Sequence, residues 1–246
     1  SLADQACKAQ VGPQGGLDQW RQVLSNFQAA SEVVIVISHR NQFGFFRIPK
    51  TAGTSTEFML RQSDAVREDD IASGMPSHGI PEQNLGILDP TRYELAIHGT
   101  PQDAVNWGLL TEGQALAYDL FVFLRDPFDR YVSACAHKRL TPLDQSAFEH
   151  LVRSGAPKGQ VVRRQSEYIK VNGVEVVTPL DFRHYESEAR RLLLRAGGEG
   201  LSAVPRMNQS LARERKLAYY SAATRQRIHE RFSEDFALYE RFFGTT

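Results

Sequence analysis

Short apolar runs, each closed by a polar or small-residue turn, organise this chain. Residues 33–38 form a β-branched run, and residues 44–48 follow it after the polar turn Arg40-Asn41-Gln42. That order predicts two strands, paired as a hairpin or lying as neighbours. Residues 93–98 and 121–124 give a third and a fourth strand. Leu17, Trp20, Val23, Leu24 and Phe27 recur at helical spacing, which predicts an amphipathic helix over residues 17–30 packed outside the sheet. Residues 63–92 are rich in Ser, Asp, Gly and Pro without periodicity, so an irregular excursion bordering the substrate is expected there. From Asp144 onward the pattern is mainly helical, interrupted by a hairpin at residues 169–178 around Asn172-Gly173. A final helix pair then carries Ile228, Phe232, Phe236, Tyr239 and Phe243 at the spacing of a core. No internal repeat or low-complexity tract is present. Helices follow most of the strands, which predicts an α/β architecture: a P-loop-like parallel β-sheet flanked by helices, with phosphate sites at the strand ends and a mainly helical C-terminal part. Residues 1–246 are expected to form a single domain, with residues 1–32 as a helical extension.

Composition narrows the function classes. With 246 residues and 41% hydrophobic content, the chain can bury a sizeable core. Its 29 basic and 29 acidic residues balance, which argues against a protein that holds nucleic acid through overall positive charge. Two cysteines, Cys7 and Cys135, do not make a disulfide framework; Cys135 falls on a predicted helix, where a buried thiol is expected. This favours a reducing compartment. No Cys-x-x-Cys, His-Glu-x-x-His or acidic cluster has the spacing of a ligand set, so no metal is implied. No stretch approaches the ~20 apolar residues of a membrane span.

Two segments carry the chemistry. In the first, an apolar strand runs into Pro49-Lys50-Thr51-Ala52-Gly53-Thr54-Ser55 and then a helix. Backbone N–H groups at a helix start, the positive end of the helix dipole, three hydroxyls and one ammonium make an anion nest. A nucleoside triphosphate loop places its lysine after the last glycine, whereas Lys50 precedes Gly53, so a standard ATP or GTP loop fits poorly. In the second, the strand 121–124 ends in Arg125, followed by Asp126 as an N-cap and Pro127 at the first helical position. Ser133, seven residues beyond Asp126, lies on the same helix face as the cap and Arg130. Arg125 and Ser133 can therefore converge on one phosphate, while Arg130 is expected to pair with Asp126.

The two segments together resemble the sulfotransferases that use 3′-phosphoadenylyl sulfate (PAPS), in particular the carbohydrate branch with the heparan sulfate 2-O-sulfotransferases and the chondroitin and dermatan enzymes. Residues 49–55 resemble that family's 5′-phosphosulfate loop, and Arg125-Asp126-Pro127-x-x-Arg130-x-x-Ser133 resembles its 3′-phosphate motif. Weaker echoes are residues 181–186 and Pro205-Arg206-x-Asn208-x-Ser210, so the similarity spans residue 43 to the C-terminus. The resemblance implies a sulfotransferase fold and a PAPS-dependent transfer to the hydroxyl of an acceptor, a glycan in this branch, with 3′,5′-adenosine bisphosphate as product. The cofactor would be held by Arg47, Lys50, Thr51, Ala52, Gly53, Thr54, Ser55, Arg125 and Ser133, with Arg206, Asn208 and Ser210 as a late loop closing over the nucleotide.

Transfer also needs a base for the acceptor proton and a cation for the departing bisphosphate. Lys50 suits the second role. For the first, His98 closes the third strand and is followed by Gly99; the 2-O-sulfotransferase branch has His-Gly-His at a comparable place, and this chain has Thr100 instead of the second histidine. His78 and Glu57 stand behind His98 as candidates, and His137 could contact the 3′-phosphate. Lys138, Arg139, Arg163 and Arg164 could border an acidic or polyhydroxylated acceptor, or form a solvated helix face. Two alternatives stay open: a nucleotide-dependent kinase-like phosphotransferase, and a non-catalytic nucleotide- or glycan-binding protein of the same fold. Animal members of this branch carry a Golgi anchor. The expectation here is a soluble, bacterial-type cytoplasmic enzyme, or a Golgi-lumen enzyme whose anchor has been trimmed away.

Overall fold

The computed structural model describes residues 35–63, 71–72, 98–137, 144–198, 204 and 218–244, all within one compact unit, Val33–Thr246. The expected helix at 17–30, most of the excursion at 63–92 and most of the strand at 93–98 lie outside the described residues. Strands β1 (Ile35–Ser38) and β2 (Phe43–Phe45) pair antiparallel, with Val36 opposite Phe45, so the expected hairpin forms. Its turn is tied down by Asn41, whose amide donates to the Ala196 carbonyl at 2.8 Å. β2 stops earlier than expected, and residues 46–48 run on without strand geometry, although the Phe46 N–H still bonds the Phe121 carbonyl at 2.9 Å. Helix α1 (Gly53–Gln62) follows, then β3 (Ile71–Ala72), a two-residue strand inside the segment expected to be irregular. Two one-turn helices, α2 (Pro101–Asn106) and α3 (Glu112–Ala117), lead into β4 (Asp119–Leu124) and α4 (Pro127–His137).

The strand order is β3-β1-β2-β4-β7. β2, β4 and β7 (Val177–Asp181) run parallel, and β1 and β3 add an antiparallel flank. β4 lies between two parallel neighbours with both faces covered, which is why its sequence is a continuous apolar run instead of an alternation. Leu120, Val122 and Leu124 enter one core with Ile35, Phe46, Ile48 and Leu110, while Phe121 and Phe123 enter the other with Val36, Phe45 and Leu180. Each fully buried aromatic or aliphatic side chain of this kind contributes about 1.5–3 kcal/mol. The Leu120 side chain of β4 lies across Gly44 of β2, where a Cβ would come within 2.7 Å of its methyl.

Between α4 and β7, α5 (Gln145–Ser154), a run of 3₁₀ turns and a hairpin occupy residues 144–176. The hairpin of β5 (Lys170–Val171) and β6 (Val174–Glu175) turns on Asn172 and Gly173, both left-handed at φ 48° and 82°, as an Asn-Gly turn demands. It is shorter than expected: residues 177–181 do not belong to it but form β7, the edge of the central sheet. Pro179 is tolerated there because an edge strand needs no donor on its outer side. α6 (Tyr185–Arg195) covers the α1 side of the sheet through Leu192 and Leu193. α7 (Ala222–Arg231), α8 (Ser233–Phe243) and Phe232 at their junction supply the buried Ile228, Phe232 and Tyr239 expected from their spacing, with Phe236 and Phe243 packed against them. Cys135 is a buried free thiol whose pKa burial pushes up to about 12, so it is inert.

Candidate functional site

Both chemistry-bearing segments leave the carboxyl ends of adjacent parallel strands, where α/β sheets bind their ligands. After β2 the chain bends through Lys50 and Ala52, both left-handed at φ 69° and 62°, the curvature from which concave anion nests are made. The Thr51 hydroxyl stiffens the bend by donating to the Ile48 carbonyl at 2.8 Å. Ala52 is the N-cap of α1 and has no side chain to serve as one. By contrast Thr100, Thr111, Asp144 and Ser221 each cap their helices through a side-chain oxygen. The start of α1 thus retains first-turn amides and a positive dipole end without the usual capping acceptor.

Arg47 organises this loop. Its guanidinium donates to the Thr54 hydroxyl at 2.9 Å and to the Glu57 carboxylate at 2.5 Å. Gly53 is required because Arg47 lies across it: a Cβ there would sit 2.9 Å from the Arg47 Nε. Glu57 is buried, and Arg61 takes its other oxygen at 3.0 Å, so both oxygens of this candidate base are committed to ion pairs. Lys50 is half-buried, and its ammonium has no carboxylate partner among the described residues. Burial, and then the nearby Arg125 charge, push its pKa down. An ammonium held in that way favours any ligand that brings negative charge.

Arg125 lies 5% exposed at the end of β4. Its guanidinium donates to the Lys50 carbonyl at 2.9 Å and stacks over the Phe182 ring at 4.5 Å, which joins the two segments directly. Its main chain is clamped by Gln165, which accepts from the Arg125 N–H at 2.9 Å and donates to the Arg125 carbonyl at 2.8 Å. Asp126 caps α4 as predicted, accepting from the Asp129 N–H at 2.9 Å. It does not pair with Arg130, which corrects the sequence expectation. Arg130 instead donates to the Pro49 carbonyl at 3.0 Å and to the Arg163 carbonyl at 2.6 Å, with Asp235 of α8 as its counter-charge at 3.7 Å. The buried Arg130 thus holds the 5′ loop by its backbone. Ser133 is buried on the same helix, one turn beyond Arg130.

His98 sits beside this loop. Its Nδ1 bonds the Arg47 carbonyl at 2.9 Å, and since a carbonyl only accepts, Nδ1 carries the proton and Nε2 keeps the lone pair. Burial lowers its pKa to about 3; the charges of Arg47, Arg130 and His137 act the same way, and the bond to the carbonyl opposes them. The ring is therefore neutral at pH 7. Thr100, which stands in place of a second histidine, makes a capping box with Asp103 at the start of α2. Gly99 is fixed by the Trp107 ring, which a Cβ would approach to 2.7 Å.

The structure thus brings together Arg47, residues 50–55, Arg125 and His98, while Ser133 is placed only as a buried residue of α4. Arg206, Asn208, Ser210, His78, Lys138 and Arg139 lie outside the described residues. Of the candidate acceptor contacts, Arg163 pairs with Asp103 and Glu167, and Arg164 pairs at the surface with Glu234. Sequence reading missed Gln165 and Asp235. Gln165 is hidden in a polar run and gives no signal. Asp235 does give one, because it falls on the apolar stripe of Phe232 and Tyr239 at helical spacing, where an acid must answer a buried cation. Among the described residues no cluster of His, Cys, Asp or Glu is arranged to hold a metal, and no helix is long and apolar enough to cross a membrane.

An α/β sheet thus carries an uncapped helix start, a half-buried ammonium and a buried arginine at adjacent strand ends, an arrangement suited to an anionic ligand. The sequence profile of the sulfotransferase family matches residues 34–185, more than half of the chain, and the chain belongs to that family. Among solved structures, the crystal structure of a sulfotransferase from Alicyclobacillus acidocaldarius is similar at 16% identity and a TM-score of 0.41, covering 85% of this chain and 98% of that one. No curated protein matches the chain significantly.

Proposed function

We propose that the protein transfers the sulfuryl group of PAPS to a hydroxyl of an acceptor, a sugar, and releases 3′,5′-adenosine bisphosphate. The observation that carries this reading is the bond from the Arg125 guanidinium to the Lys50 carbonyl, which joins two separate cationic segments into one site. A nucleotide with phosphates at two ends matches that pair, the 5′-phosphosulfate on the loop and start of α1 and the 3′-phosphate on Arg125 and Ser133. Arg206, Asn208 and Ser210 complete the nucleotide site in this reading.

In the transfer step the acceptor oxygen bonds to sulfur as the bond from sulfur to the bridging phosphate oxygen breaks, and the electron pair stays with the bisphosphate. The Lys50 ammonium neutralises the charge that grows on that oxygen, with Thr54, Ser55 and the loop amides around it. The acceptor proton passes to Nε2 of His98. In the free protein this imidazole is a weak base, and the negative charge of a bound phosphosulfate raises its proton affinity to the level the step needs. A sugar acceptor is supported by the resemblance of both motifs to the carbohydrate branch.

The test is ligand stabilisation followed by transfer. At 100 times its dissociation constant a ligand adds about 2.7 kcal/mol, enough to raise the melting temperature by several degrees. 3′,5′-Adenosine bisphosphate is expected to stabilise the protein more than AMP, ADP or ATP with magnesium; equal stabilisation by ATP would replace the reading with a kinase-like one. Labelled PAPS offered with glycans, phenols and lipid alcohols should label a glycan, and preference for a phenol or lipid alcohol would overturn the sugar assignment.

A further inference from the structure

One short 3₁₀ turn, Gln165–Tyr168, touches both ends of the site. β4 pairs with β7 as far as Leu124 opposite Asp181, so the buried main chain of Arg125 is past the end of the ladder. A single side chain that both donates and accepts can satisfy it, and an amide does so in a fixed geometry. Gln165, fully buried, supplies that amide. Three residues on, the fully buried Tyr168 ring directs its phenol to the His98 carbonyl, donating at 2.8 Å. The His98 backbone is held by Tyr168 while its ring is held by Arg47, so both are fixed. The turn itself is anchored from outside the site, since the Ser166 N–H bonds Asp235 at 3.0 Å and the adjoining Arg163 bonds Asp103 at 2.9 Å.

We propose that this turn is a strut that sets the spacing of the site, with Gln165 the positioning residue for Arg125 and Tyr168 the positioning residue for His98. Neither side chain touches the reacting atoms. Each fixes the main chain from which a functional side chain projects, and a misplacement of about 1 Å at such a point is enough to cost roughly a hundredfold in rate. The inference rests on the sulfotransferase reading above and predicts that the two ends separate kinetically: one governs nucleotide affinity, the other the transfer step.

The experiment measures bisphosphate affinity, kcat and the pH–rate profile for wild type, Gln165→Met and Tyr168→Phe. Gln165→Met should weaken 3′,5′-adenosine bisphosphate by about tenfold, with kcat at saturating PAPS within about twofold of wild type. Tyr168→Phe should lower kcat about tenfold and move the acid limb of the pH–rate profile, with bisphosphate affinity within about twofold. If Gln165→Met does not fold, Gln165→Glu keeps the acceptor for the Arg125 N–H, loses the donor to its carbonyl, and should give a smaller shift in affinity alone. Parallel losses in affinity and kcat in both variants, or no change in either, would overturn the strut. Failure of the wild type to bind bisphosphate would instead remove the sulfotransferase reading, and with it the strut, before any variant is measured.

Discussion

The two anion-binding segments look alike in sequence, a strand followed by a cation and a helix, yet they are built on opposite principles. The first is made of backbone: two left-handed residues, a helix start with no side-chain cap, and the half-buried ammonium of Lys50. In the second, Asp126 already accepts from a first-turn amide of α4, and the buried Arg125 side chain is the cation that would meet the proposed 3′-phosphate. The chemistry explains the division. A group whose charge grows during reaction is best met by dipoles and a cation that can follow it, whereas a phosphate that only anchors the nucleotide is best met by a rigid, buried fork.

Four experiments would break or sharpen that contrast. Lys50→Ala should lower kcat by about 10²–10³-fold, the range for loss of one group that stabilises developing charge, with bisphosphate affinity changed only a few-fold. Steady-state kinetics beside calorimetry would check it, and a loss confined to affinity would place Lys50 with Arg125 as an anchor. Arg125→Ala should weaken bisphosphate by about 10–100-fold, as one charge-assisted hydrogen bond is worth ~1.5–3 kcal/mol. Isothermal titration reads that directly, and an undiminished affinity would move the 3′-phosphate elsewhere.

The third concerns His98, which lies between the two segments. Its folded pKa of about 3 is below the ordinary 6.5, so between those values the unfolded chain binds the proton more readily than the folded one. Its contribution to stability is complete above pH 6.5 and is lost as pH falls toward 3, by about 1.4 kcal/mol for each pH unit. Denaturant unfolding of wild type and His98→Gln across pH 4–7 should show the steeper slope in wild type, and saturating bisphosphate should flatten it by bringing anions to the ring. Identical slopes would mean that His98 is not held neutral. The smallest effect is that of Asp126→Ala, which should cost ~1 kcal/mol of stability through loss of the α4 cap and leave bisphosphate affinity nearly unchanged. A large loss of affinity would show that α4 contributes more to the nucleotide site than its cap allows.

Much of this was legible in order and spacing. The strand-turn-helix sequence at residues 44–58 and 121–133, the Asn172-Gly173 turn, the Asp126 cap and the C-terminal core stripe are local features, fixed by backbone preference and by periodicities of two and 3.6 residues. Residues 177–181 illustrate the limit. Residues 177 and 178 read as the end of a hairpin, because nothing local says that a strand will pair with a partner more than fifty residues earlier.

The sequence by itself therefore determined the α/β class, the two cationic segments and their polarity along the chain, since each depends on neighbours within a few residues. Tertiary structure decided which charges remain for a ligand. By sequence Arg130 pairs with Asp126, and Arg163 and Arg164 border an acceptor or form a solvated face; in the fold Asp235, Asp103, Glu167 and Glu234 answer them from distant or adjoining elements, while Lys50 has no such partner among the described residues. Gln165 reaches the Arg125 main chain, and Asp235 the Arg130 guanidinium, only through contacts between elements distant in sequence. Burial turns each polar group into one that must be paired, and which group is within reach to pair with it is a property of the fold.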